Sequence, residues 1–129
     1  MPATDMSNSP YTIRNYQAAD FDKYLRLSTK AEELEPAGRR VSPQAIAGHL
    51  GRPDYSPEQD LFVVEIDGSV IGYVDVTLEL TIGRVILDCW VHPEHRRKGL
   101  AAKLLGCALH RARELGAKVL HINIGQDNV

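Results

Sequence analysis

The chain has 129 residues, 43% hydrophobic and 25% charged, with a formal net charge of −2. That describes one ordinary globular domain, long enough to bury a core. The charge balance argues against nucleic acid as a partner, no apolar run approaches the ~20 residues that cross a bilayer, and no charged-then-apolar leader is written at the start. A cytoplasmic protein without nucleic-acid or membrane partners is expected. Cys89 and Cys107 both fall in apolar segments and are read as buried free thiols. No His, Cys, Asp or Glu spacing suggests a metal site.

Residues 1–10 are small and polar, with two prolines, and predict a disordered leader ahead of a domain over 11–129. Residues 11–16 alternate and favour a first strand. Asp20 stands at a helix N-cap, and Phe21, Tyr24, Leu25, Ser28 and Ala31 follow at helical spacing until Pro36 ends the run. Ser42-Pro43 writes a second, short helix that Gly51 terminates, and residues 52–60 read as a loop.

Residues 61–66 then form a strand, Asp67-Gly68 a tight hairpin turn, and a long strand returns. Alternation puts Val70, Val74, Val76, Leu78 and Leu80 on one face and Tyr73, Asp75, Thr77 and Glu79 on the other. Gly83 turns the chain into a fourth strand over residues 84–91. A third helix spans about 99–115, with an apolar stripe of Leu100, Leu104, Leu105, Ala108, Ala112 and Leu115 closed by Gly116. Residues 118–125 form a fifth strand, parallel to the fourth because a helical crossover joins them. The order β-α-α-β-β-β-α-β is a mixed α/β domain with a mostly antiparallel sheet.

The segment from Val91 to Ala101 carries the chemistry. A hydrophobic strand ends, the basic run Arg96-Arg97-Lys98 follows, and a helix starts at Gly99. The first amides of a helix have no internal acceptor, and the helix dipole adds about half a positive charge there. Glycine lets an anion approach the backbone closely, so this is a phosphate site in outline. No P-loop or dinucleotide-binding glycine pattern is present.

Here the sequence resembles the GNAT acetyltransferases, which carry Arg/Gln-x-x-Gly-x-Gly/Ala between their fourth strand and third helix. This chain supplies Arg96-x-x-Gly99-x-Ala101, preceded by Val91 and Pro93 of the Val-x-Pro that the family favours. The resemblance covers about residues 11–129 and implies the GNAT-like acyl-CoA N-acyltransferase fold, with acetyl-CoA as cosubstrate. It implies that amides around Arg96, Arg97, Lys98, Gly99, Leu100 and Ala101 hold the pyrophosphate. Cys89, Trp90 and Val91 would hydrogen-bond the pantetheine like an added strand, and a backbone amide near Val91 would polarise the thioester. Trp90 packs either beside the cofactor or in the core.

The implied reaction is acetyl transfer to an amine, on a small molecule or a protein, by direct attack with a carboxylate base. Asp88 is the first candidate because it interrupts the apolar run 85–91, with Glu79 second. The bland alternative for Asp88 is an ion pair with Arg84. His121 shares a strand face with Asn123 and reads as structural or as a base, whereas His92, His95 and His110 read as surface residues. Residues 32–41 would line the acceptor side.

Asn128 matches the asparagine that precedes the family's tyrosine acid, and the sequence stops there. None of its tyrosines occupies the tyrosine's place. The resemblance therefore leaves two readings open: a catalytic domain, or a non-catalytic acetyl-CoA-binding or structural half of a tandem acetyltransferase. It also predicts a fragment of a longer chain, or a homodimer in which a neighbour's segment completes the sheet.

Overall fold

Strand-forming segments joined by short turns assemble one five-stranded sheet in the order β1-β2-β3-β4-β5. β1 (Thr12–Asn15), β2 (Leu61–Ile66), β3 (Ser69–Glu79) and β4 (Arg84–Val91) are antiparallel neighbours, and β5 (Val119–Ile124) lies parallel to β4. The structure, a computed structural model, describes residues 9–124. Most of the predicted leader, and Asn128, lie outside the described residues.

The local signals explain the helices. α1 (Phe21–Leu34) follows a 3-10 turn, and α2 (Pro43–Leu50) starts where the Ser42 hydroxyl accepts the Ala45 amide at 3.0 Å. α4 (Leu100–Glu114) crosses over between β4 and β5 as the parallel pairing requires. One reading needs correction and one a qualification. A four-residue helix, α3 (Pro57–Asp60), lies inside the segment read as a loop, because Ser56-Pro57 starts a turn just as Ser42-Pro43 does. Asp20 stands at the N-cap of α1 as expected, but its side chain does not bond the helix amides. Its carboxylate turns back to the Gln17 amide at 2.8 Å and to Arg14 at 2.7 and 2.8 Å.

The Asp67-Gly68 turn has both residues left-handed, φ 50° and 77°, as a two-residue hairpin demands. Just beyond it the β2–β3 register slips: Val64 pairs with Gly72 and Glu65 with Val70, so Ile71 is an extra residue. The bulge reverses which face each later side chain meets. Val70 therefore lies on the face of Tyr73, not on that of Val74 and Val76 as alternation predicts.

Two apolar layers result. Under α4, Leu100, Leu104, Cys107, Ala108 and Ala112 pack on Val74, Val76, Val85 and Leu87. Under α1 and α2, Tyr24, Leu27, Ala31, Ile46 and Leu50 pack on Val63, Val70, Tyr73 and Trp90. Trp90 is thus a core residue, and Cys89 and Cys107 are buried free thiols as read.

Candidate active site

β4 ends at Val91, a 3-10 turn covers Pro93–His95, and α4 begins at Leu100. Between them Arg97 and Gly99 are both left-handed, φ 63° and 77°. Glycine adopts that conformation freely, whereas for arginine it costs of order 1–3 kcal/mol. Arg97, Lys98 and Gly99 are exposed, and nothing lies within 4 Å of the point where a Gly99 Cβ would stand. Leu100 and Ala101 are buried beneath and fix the helix start. The loop is an open, cationic surface over unsatisfied helix amides, which suits a phosphate.

Arg96 faces the other way. Its Nε donates to the Val91 carbonyl at 2.8 Å, and its guanidinium donates to Glu35 at 2.7 and 3.1 Å. The Trp90 indole N–H donates to the same Glu35 carboxylate at 2.6 Å. These hydrogen bonds, Arg96's foremost, hold the Glu35 carboxyl below the usual carboxylate range against the opposing effect of burial. With its side chain only 8% exposed, Arg96 ties the end of α1 to the end of β4. Beside this clamp β4 runs two residues past Cys89↔Ile124, its last pairing with β5 among the described residues.

The clamp borders a cavity of about 1250 Å³ between the sheet and the α1–α2 side. Glu35, Arg39 and Arg40, within the segment 32–41, line it from the α1–α2 connection, and Ile46 and His49 line it from α2. Its floor is the sheet, where Asp75 and Asp88 are direct cross-strand partners. Paired positions hold Cβ atoms about 4.5–5.5 Å apart, and like charges there destabilise a sheet.

Each carboxylate has its own partners. Asp88 accepts the Asn123 side-chain amide at 3.0 Å. Asp75, 4% exposed, bonds His49 Nε2 at 2.6 Å and accepts the Tyr55 hydroxyl at 2.7 Å, with Arg52 3.8 Å away. Burial first, and then Asp75, raise the Tyr55 phenol well above its ordinary pKa, so it stays a donor. Burial in the apolar layer under α4 also pushes the Cys89 thiol up to about 12.

Of the residues singled out in the sequence, Asp88, Cys89 and Trp90 line this cavity, with Asn123 and Ile124 beside them. Glu79 does not: it sits at the far end of β3 and holds Arg84 at 2.6 Å. That pairing also removes the Arg84 partner suggested for Asp88. His121 is exposed on β5 and meets Asn123 at 3.0 Å, outside the cavity lining. His95 is half-buried and bonds the Tyr11 hydroxyl at 2.8 Å, so it is not a plain surface residue. Sequence reasoning missed Asp75, His49 and Tyr55. Their one visible signal is an aspartate within the apolar stretch of β3.

Residues 15–129 match the acetyltransferase (GNAT) family. Over 98 residues the chain is 31% identical to the mycothiol acetyltransferase of Saccharopolyspora erythraea, covering 68% of this chain and 32% of that protein. Over 124 residues it is 24% identical to an uncharacterised N-acetyltransferase of Methanocaldococcus jannaschii, covering 92% and 55%. The chain thus spans between a third and just over half the length of these relatives. The Salmonella typhimurium protein yncA, solved with its cofactor acetyl-CoA, superposes with a TM-score of 0.63 at 28% identity, covering 87% of this chain and 68% of that one. With the mixed sheet, the basic loop at the start of α4 and the carboxylate floor beside it, these matches place the chain in the GNAT acetyltransferase family.

Proposed function

We propose that the protein is an N-acetyltransferase that moves an acetyl group from acetyl-CoA to an amine by direct attack. The observation that carries this reading is the continuity of two surfaces. The open loop of Arg97, Lys98 and Gly99 lies at the end of β4, and the cavity with Asp88 lies on the same strand. The pyrophosphate would rest on the amides from Gly99 to Ala101, with Arg97 and Lys98 at the rim. Pantetheine would extend along Cys89, Trp90 and Val91 at the end of β4, and the amine would occupy the cavity. Arg96 would shape the loop from inside, since its guanidinium is engaged with Glu35 and the Val91 carbonyl.

Asp88 would take a proton from the nitrogen as it attacks the thioester, a step typically worth about 10²–10⁴ in rate. A thiol whose pKa is near 12 is a poor nucleophile at neutral pH, which favours direct transfer over an acetyl-Cys89 intermediate. Solved relatives acylate amines as different as aminoglycosides and the alanine of a ribosomal protein. The acceptor proposed here is accordingly an amine on a small molecule or a protein.

Calorimetric titration of acetyl-CoA into the chain and into Gly99→Glu tests the cofactor site. That variant puts a carboxylate where the pyrophosphate would lie, in a conformation glutamate resists. Micromolar binding that the variant loses is expected; equal binding by both would place the cofactor elsewhere. The second reading is a non-catalytic acetyl-CoA-binding half of a longer acetyltransferase. The chain's match to only 32% of its mycothiol acetyltransferase relative favours it. Turnover by the isolated chain would eliminate that reading.

A further inference from the structure

Acetyl transfer to an ammonium must dispose of two of its protons, and Asp88 handles one. The cavity holds a second group suited to this work. His49 sits in the last turn of α2, with its side chain 40% exposed and lining the cavity. Its Nε2 meets the buried Asp75 carboxylate at 2.6 Å. A neutral ring so placed carries its proton on Nε2 and donates it to Asp75. Nδ1, which has no hydrogen-bond partner among the described residues, is left with a free lone pair.

The ring is oriented from several sides. The Tyr55 hydroxyl donates to the other Asp75 oxygen at 2.7 Å, and the Tyr55 ring lies 5.7 Å from the imidazole. Arg52 stacks 3.6 Å over Tyr55 and donates to the His49 carbonyl and the Thr77 hydroxyl, both at 2.6 Å. A buried aspartate that bonds a half-exposed histidine costs desolvation. Here it stands opposite a second carboxylate, a clash that packing alone does not call for.

We propose that His49, held by Asp75, is a catalytic base of this site. On the reading that the cavity takes the acceptor amine, Nδ1 removes the proton that the ammonium must lose before it can attack. The proton count closes. R–NH3+ gives one proton to Nδ1, leaving R–NH2 and an imidazolium paired with Asp75. The C–N bond forms and the C–S bond breaks, while the nitrogen's second proton passes to Asp88 and on to the departing thiolate. The imidazolium then returns its proton to water through the exposed side of the ring.

The charged and titratable groups in contact with His49 are Asp75 from β3 and Arg52 and Tyr55 from residues 51–56, while Asp88 from β4 and Glu35, Arg39 and Arg40 from the α1–α2 side line the same cavity.

The test is the pH profile of kcat/KM at saturating acetyl-CoA, for the wild type and His49→Gln. Putrescine and Nα-acetyl-lysine serve as probe amines because alkylammonium groups stay charged up to about pH 10. His49→Gln should lose about 100-fold at neutral pH and recover to near wild type above about pH 10, where the amine is neutral unaided. A residue that only supports the fold would lose the same factor at every pH. An equal loss across the range, or less than a twofold loss at pH 7, overturns the proposal.

Two readouts need no acceptor. His49→Gln should bind acetyl-CoA as the wild type does, which shows that it is folded. A wild-type chain that binds none overturns the parent reading, and this one with it. Long-range 1H–15N spectra should place the neutral ring's proton on Nε2 in the wild type; an Nδ1–H ring would leave no base facing the cavity and overturn the assignment.

Discussion

The two faces of the sheet are built from similar strands and put to different use. Beneath α4 the buried side chains, from Leu104 and Ala108 to Val76 and Leu87, are apolar or thiol apart from Tyr11 and from Asp60, which Arg111 of α4 holds at 2.7 Å. Beneath α1 and α2 the layer is aromatic near Tyr24, Tyr73 and Trp90, then opens onto Asp75, Asp88, His49 and Glu35. One face is a close-packed core whose atoms contribute through area and fit. The other keeps charges in place only because each has a partner. Polar groups concentrated on one side of a sheet, at some cost to stability, are what a reaction site requires.

Asp88→Asn should separate the two faces most sharply. Acetyl transfer should fall about 100-fold or more, while the urea midpoint stays constant or rises slightly, because a like-charge pair is relieved. Steady-state kinetics and denaturation on the same preparation check both halves, and unchanged turnover would remove Asp88 from the mechanism. Leu104→Ala is the mirror experiment. Leu104 is fully buried under α4, so stability should drop by about 2–5 kcal/mol with little change in turnover per folded molecule.

Glu35→Gln probes the border between the faces, and should cost about 1–3 kcal/mol because it weakens the bonds to Arg96 and Trp90. The pH dependence has a definite sign. The Glu35 carboxyl is held below its ordinary range in the folded chain, so its contribution is present above the unfolded value near ~4.3 and is lost as pH falls through the folded one. The stability gap between wild type and Glu35→Gln should thus be widest near neutrality and shrink in acid. Denaturation at a series of pH values measures it. The smallest effect belongs to Ser42→Ala, which removes the α2 cap bond and should cost about 1 kcal/mol. A loss in kcat/KM beyond that in stability would show that the start of α2 helps to place His49.

The same division governs what the sequence reveals. The loop at α4 was legible because strand end, basic run, Gly99 and helix start are consecutive, so local rules apply directly. The meander and the parallel β5 followed from the Asp67-Gly68 turn and the helical crossover. The Asp75 cluster was hidden because it joins residues 20 and 26 positions away, and neither His49 nor Tyr55 departs from what a helix end or a loop ordinarily contains. Asp75 itself looked like one more polar residue in an alternating strand. The face of Val70 was misread for a different reason: a bulge reverses the alternation, and its one local sign is Gly72 beside the extra Ile71. Glu79, the second candidate after Asp88, loses its claim because the β3–β4 turn brings Arg84 beside it.

The extra residue Ile71 also constrains how the chain tolerates length changes. Excising Ile71 would restore a regular ladder. It would leave Val64 opposite Gly72 and Glu65 opposite Val70, so the hairpin tip would keep its pairing and Val70 its place in the layer under α1. Removing two residues from the tip would preserve the phase of both strands. Apart from the loss of Ile71 itself, the hairpin should accept insertions and deletions in pairs and resist single ones, because a single change elsewhere in the eleven-residue strand exchanges its two layers.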